Sequence, residues 1–400
     1  MRPYKLLIVN HAVEIGGAEK VLLRFLDFID PNLFESTLAC PKDGPLVREM
    51  RQRKIPVQLG YPSERLLDIK RQSLGSNRLR ILAYPYDMAS TVIRLARLIA
   101  RGRYDLVLTN SAKADIYGSI AARLARRPVV WRLHDIVSDE AFNRLNMMLF
   151  RLCASIFAAK VLAVSAAARD ALIDLGVAGD KVTVVYNGID METIPNYNKE
   201  HTRAEWGITA DTPLAGLVGR LVGWKGPDRF LEAAAIVSKD MKQARFMLVG
   251  DAIFGEKSYA DDLRALSSRL GLDESVVFTG FREDVIDIMG CLDVLVHASI
   301  LPDPLPTVLV EAMSLGLPVI ASDAGGVREI VEHEVTGLVV RPGDSGALAD
   351  AILRLLSDRE EASRMGRMGH ERAADRFDIR KTTEEMQEQL LACVRGIAKC

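Results

Sequence analysis

The stretch that decides the fold runs from His297 to Gly326, HASILPDPLPTVLVEAMSLGLPVIASDAGG. It begins at the end of an apolar, β-prone run, residues 293–299, that reads as a buried strand. Pro302, Pro304 and Pro306 then forbid helix and force a stiff, extended loop. From Thr307 the pattern turns helical, with Val308, Leu309, Ala312, Met313 and Leu315 apolar, and Gly316 and Pro318 stop it. Residues 318–322 form a second apolar strand, and Gly325-Gly326 opens another helix. Strand, loop, helix, strand and glycine turn make a βαβ unit. Its loops lie at the carboxyl ends of parallel strands, the edge at which open α/β sheets bind ligands.

Two acids stand in this unit, Asp303 in the proline loop and Glu311 in the helix, with seven residues between them. A helix starting near Thr307 offers free N–H groups and a positive dipole end to an anion. Both carboxylates suit sugar hydroxyls; on spacing alone they are equally compatible with solvated or helix-capping residues.

The run PDPLPTVLVEAMSLGLPVIASDAGGVREIV, followed by TGLVVRPGD, resembles the signature of the retaining, nucleotide-sugar-dependent glycosyltransferases of family 4. That family has the GT-B architecture, an α/β fold of two Rossmann-like domains with parallel sheets facing across a cleft. The resemblance implies that the first acid, Asp303, contacts the donor sugar, and that Glu311 binds the nucleotide ribose. It places the main-chain amides of Leu305, Thr307 and Val308 toward the diphosphate. The family usually has Glu at the first position, so Asp303 is one methylene short and its contact is the less secure.

The whole chain of 400 residues alternates strands and helices, long enough for two domains with their own cores. With 49% hydrophobic and 26% charged residues it has a globular composition. No apolar stretch reaches the roughly 18 residues of a membrane span, because Arg151 and Lys160 interrupt the best candidate. The start, MRPYKLLIVNHAVEIGG, reads as a first strand rather than a signal peptide. Cys40, Cys153, Cys291, Cys393 and Cys400 are scattered, with no Cys-x-x-Cys pair. They point to reduced thiols, a cytoplasmic location and no structural zinc.

In the first half, residues 5–9 form the central strand, and Gly16-Gly17-Ala18-Glu19 opens a helix in a turn that is either plainly tight or built for phosphate. Residues 60–86 have no clean period and read as a loop or mobile insertion, followed by helix 87–102. A helix over 139–159 follows strand 129–133, which ends at His134. A lone histidine at a strand end is as readily structural as functional. The resemblance sets Gly16 and Gly17 over the donor phosphates and His134 beside the donor sugar.

Asn187-Gly188-Ile189-Asp190 closes the first domain, and the polar residues 191–212 read as an irregular hinge. Beyond strand 214–218, Gly219-Arg220-Leu221-Val222-Gly223-Trp224-Lys225-Gly226 sets two cations five apart on a glycine-rich loop. By spacing this is either a surface loop or a diphosphate clamp; by resemblance, Arg220 and Lys225 hold the diphosphate. The expected domains are 1–190 on the acceptor side, 191–380 binding the nucleotide sugar, and a final helix, 381–400, packing back on the first.

The expected activity is retaining transfer of a hexosyl group from a UDP- or GDP-sugar to a saccharide or lipid-linked acceptor, in the building of surface polysaccharide or glycolipid. No further cofactor is implied. No Asp-x-Asp triplet occurs, so no metal bridge to the diphosphate is implied. A nucleotide-sugar 2-epimerase and a non-catalytic nucleotide-sugar-binding subunit are the alternatives; isomerisation of donor alone would mark the first.

Charge is nearly balanced overall but unevenly spread. Residues 1–185 carry 28 Lys and Arg against 18 Asp and Glu, a surplus of ten positive charges. Arg94, Arg97 and Arg101 fall at helical spacing on one face of helix 87–102, after Lys70, Arg71, Arg78 and Arg80. That face is either simply solvated or meets anionic lipid at the inner surface of a membrane; nothing calls for nucleic acid.

Overall fold

The structure, a computed structural model, describes residues 2–61, 78–137, 144–193, 198–252 and 257–397. The chain divides into two compact units, Met1–Gly188 with Ile379–Cys400, and Ile189–Asp378. Each is built on a parallel sheet.

The first unit's strands are β1 (Tyr4–Val9), β2 (Phe34–Cys40), β3 (Val57–Leu59), β4 (Leu106–Thr109), β5 (Val129–Leu133), β6 (Lys160–Ala163) and β7 (Val182–Val184). Their order is β3-β2-β1-β4-β5-β6-β7, so the winding reverses between β1 and β4. Leu6–Val9 are buried completely, which sets β1 inside this sheet, beside β4. Helices Gly17–Phe28, Pro45–Gln52 and Ile379–Ile397 cover one face. Helices Arg78–Gly102, Ala112–Leu124, Arg144–Ile156 and Ala166–Asp174 cover the other. Trp131 anchors that second core, its ring tilted against Phe150 at 4.8 Å and its indole N–H donating to Ser119 at 2.7 Å.

The second unit repeats the plan with β8 (Leu214–Val218), β9 (Arg245–Val249), β10 (Val276–Gly280), β11 (Val294–His297), β12 (Val319–Ser322) and β13 (Gly337–Val340). The order β10-β9-β8-β11-β12-β13 puts its reversal between β8 and β11. Such a switch point opens a crevice outside the carboxyl ends of the two strands.

Three expectations are corrected. The loop expected over 60–86 is helical from Arg78, and the helix runs through Pro85 to Gly102. A proline inside a helix loses one backbone hydrogen bond but need not end it when the helix packs on a core. Lys70 and Arg71 lie outside the described residues, as do 138–143, the start of the helix expected over 139–159; its described part spans Arg144–Ile156.

The hinge expected over 191–212 contains the helix Lys199–Glu205, whose N-terminus Asn198 caps by accepting from His201 N–H. Arg203 secures it. Its guanidinium, 1% exposed, donates to the carbonyls of Cys291, Thr209, Ala210 and Thr212 and to Asp293. A buried guanidinium bonded through all three of its nitrogens is a clamp. The helix expected to open at Gly325-Gly326 is a single turn, Val327–Ile330.

Candidate functional site

In the second unit the loops after β8, β11 and β12 are locked together by backbone contacts that only glycine permits. Gly226 has φ 66°, and a Cβ there would stand 2.1 Å from the Ala298 carbonyl oxygen. Gly325 has φ 70°, and its Cβ would stand 2.1 Å from the Asp303 carbonyl oxygen, which accepts from Gly326 N–H at 2.8 Å. Ile300 N–H donates to the Trp224 carbonyl at 2.9 Å. The arginine–lysine loop and the proline loop are therefore one assembly on either side of the switch point.

Within it, Lys225 and Asp303 form an ion pair. The Lys225 ammonium also lies 4.5 Å above the Trp224 ring. Asp303, 6% exposed, meets His297 Nε2 at 3.3 Å through the same oxygen, and Ser299 Oγ lies 3.0 Å from that nitrogen. Burial alone would push the Asp303 carboxyl up; the hydrogen bond from His297 and the charge of Lys225 overcome it and hold the group well below the usual carboxylate range. Burial pushes His297 the other way, down, so its ring is neutral and orients rather than charges the cluster.

Arg220 is exposed and makes no ion pair among the described residues. Pro306 occupies the N-cap of helix Thr307–Ser314, and its side chain, which has no acceptor, leaves the N–H groups of the first turn uncapped from that position. Leu305 is buried just before it, Thr307 and Val308 are half-buried, and Glu311 is half-buried one turn in. The edge thus gathers a guanidinium, an ammonium and a helix start, three preorganised stabilisers of an anion.

In the first unit, Gly16 is the N-cap of helix Gly17–Phe28 and has extended backbone. Glu19, 6% exposed, accepts from Gly16 N–H at 3.0 Å and from Asn10 Nδ2 at 3.2 Å, which fixes the turn. A Cβ at Gly17 would meet nothing within 4 Å, so the helix start is open there. His134 follows β5, and its Nε2 lies 3.0 Å from Asn110 Oδ1. An amide oxygen only accepts, so Nε2 carries the hydrogen.

Burial, helped by the Arg132 charge, pushes His134 from the usual 6.5 down to about 3. The folded group's pKa lies below the unfolded one, so as pH falls below about 6.5 the unfolded chain takes up a proton the folded chain refuses. His297 acts in the same direction. Stability is therefore expected to decline as pH falls through about 6.5 and to go on declining toward about 3. A melting series in that range, less steep in His134→Gln, checks it; an unchanged slope in the variant would remove His134 as a cause.

Sequence reasoning named Lys225 and Asp303 but missed that they pair, and missed His297 on the other side of Asp303. One signal was available: His297 and Ser299 are two apart at a strand end, and side chains two apart on a strand share a face. Asn110 carried no comparable signal, because its partner His134 comes from another strand end, 24 positions on.

Two Rossmann-like units, with cations and a helix start at the switch point of the second, define a glycosyltransferase of the GT-B fold, and the chain belongs to the family-4 glycosyltransferases. The glycosyltransferase family 4 profile matches residues 15–193, and that of the glycosyl transferases group 1 matches residues 198–372. Anabaena Alr3699/HepE, crystallised with UDP, is 32% identical; the match covers 97% of this chain and 100% of that one, with a TM-score of 0.82. Its complex with UDP and glucose gives 0.83. The Escherichia coli UDP-Gal:alpha-D-GlcNAc-diphosphoundecaprenol alpha-1,3-galactosyltransferase is 28% identical over 355 residues, 86% of each chain. The family favours transfer over the 2-epimerase alternative.

Proposed function

We propose that this transferase moves a hexosyl group from a UDP-sugar, with retention and without a metal, to a lipid-linked or saccharide acceptor in surface polysaccharide or glycolipid assembly. The observation that carries this reading is the Lys225–Asp303 pair beside exposed Arg220 and the uncapped start of helix Thr307–Ser314. Those groups stabilise the charge that develops on a departing diphosphate. UDP is preferred to GDP because the Anabaena protein was crystallised with UDP and with UDP-glucose.

In this reading Glu311 takes the ribose, Gly16 and Gly17 approach the donor phosphates, the amides of Leu305, Thr307 and Val308 face the diphosphate, and neutral His134 donates or accepts at the sugar without changing charge. The acceptor attacks from the face the diphosphate leaves, and a diphosphate oxygen takes the acceptor proton. The lipid-linked acceptor draws on the diphosphoundecaprenol named for the Escherichia coli relative. The basic face of Arg94, Arg97 and Arg101, all exposed, would favour an anionic membrane surface.

Hydrolysis of a panel of UDP- and GDP-sugars, followed by the anomeric configuration of the transfer product, tests this; inversion or a GDP-only donor profile would overturn it. EDTA should leave the rate unchanged. Asp303→Asn is expected to lower turnover and Glu311→Gln mainly to weaken UDP binding; steady-state kinetics and calorimetric titration with UDP separate the two.

A further inference from the structure

Helix Arg144–Ile156 buries Phe150, Cys153 and Ala154 against the first sheet. Its outward side is also apolar: Met148, Leu152 and Ile156 are 61%, 46% and 58% exposed. They fall at intervals of four, so they form one stripe along the helix, about 12 Å long. The neighbouring helix Ala112–Leu124 ends in Leu124, 60% exposed. An apolar stripe of this size on a globular unit marks a surface that something covers.

The charges around it say what. Arg123, Arg126, Arg127 and Arg151 are all exposed. Residues 112–128 and 144–159 contain a single acid, Asp115, and it is fully buried. Large apolar side chains with a rim of arginine and, among the described residues of these two helices, no exposed carboxylate match the interface of an anionic bilayer, into which a helix sinks its apolar side while the cations meet the headgroups. A second protein surface would need acidic groups of its own to meet four arginines.

We infer that the outward face of helix Arg144–Ile156, with the end of helix Ala112–Leu124, docks the first unit on an anionic lipid bilayer. This rests on the proposed membrane-side transfer and moves its centre from the Arg94, Arg97 and Arg101 face to a stripe that combines charge with apolar contact.

Co-sedimentation with vesicles tests it, using phosphatidylcholine alone and phosphatidylcholine with one quarter phosphatidylglycerol. The wild-type chain should bind the anionic vesicles and not the neutral ones. Binding should weaken with salt but persist where the Debye length has shrunk to about 3 Å, because apolar contact is not screened. Met148→Ser, Leu152→Ser and Ile156→Ser together should lower the bound fraction at least tenfold, and Arg123→Gln, Arg126→Gln and Arg127→Gln together comparably. Hydrolysis of the donor in solution should be unaffected in both, and it reports separately on the transferase reading. No anionic preference, or unchanged binding in the serine variant, would overturn the inference. So would a dimer in light scattering that the serine variant dissociates, since a second copy would then cover the stripe.

Discussion

Lys225→Ala is expected to lower transfer about a hundredfold, the scale for removing one preorganised group that meets developing negative charge. It should also destabilise the second unit, and the two effects have one physical cause. Asp303 is held ionised in a buried place by the His297 hydrogen bond and the Lys225 ammonium. Removing one partner of a buried pair leaves the other charge uncompensated, at a cost of about 3–5 kcal/mol. A double variant, Lys225→Met with Asp303→Asn, removes both charges and should recover much of the stability while transfer stays low. Arg220→Ala should lose comparable activity with no change in melting, because the exposed guanidinium has no ion-pair partner among the described residues. Activity within a few-fold of wild type in both single alanine variants would sink the diphosphate assignment.

Gly325→Ala should be strongly damaging although it replaces no charged group. Gly325 sits at φ 70°, where a side chain costs on the order of 1–3 kcal/mol. Its new methyl carbon would also overlap the Asp303 carbonyl, 2.1 Å away, backbone that cannot swing aside as a side chain would. The proline loop must shift, and Asp303 and Lys225 with it. UDP affinity is expected to fall at least tenfold, with a clear drop in melting temperature. Gly316→Ala is the control: it has the same φ of 70° but nothing within 4 Å of its Cβ, so it should pay the backbone cost without the loss of UDP binding. Equal UDP affinity in the two variants would show that the contact with Asp303 does not set the site.

What could be read in the residues was whatever local pattern controls. Strand and helix alternate because apolar periods of two and of three to four do, and the glycine and proline breaks at Gly219–Gly226 and Pro302–Pro318 fall where backbone geometry demands them. These placed the cations and acids on loops after strands, and with them the family. The hinge was misread for the converse reason: Arg203 is a charged residue in a polar segment, and only Cys291 and Asp293, some ninety positions on, make it a buried clamp. Pro85 misled because its local preference against helix is outweighed by the packing of Val92, Leu95 and Ile99 further along the same helix.

The sequence by itself determined most of the strands and helices, though not helix Lys199–Glu205 or the first turns of helix Arg78–Gly102, and that cations follow β8. Only the tertiary structure decided which apolar side of helix Arg144–Ile156 is core. Met148, Leu152 and Ile156 are as apolar as Phe150, Cys153 and Ala154, and hydrophobicity alone gives no ranking between two apolar faces. The fold likewise decided that Asp303 stands between Lys225 and His297, because a carboxylate's state is set by what surrounds it, and those surroundings come from two different strand ends.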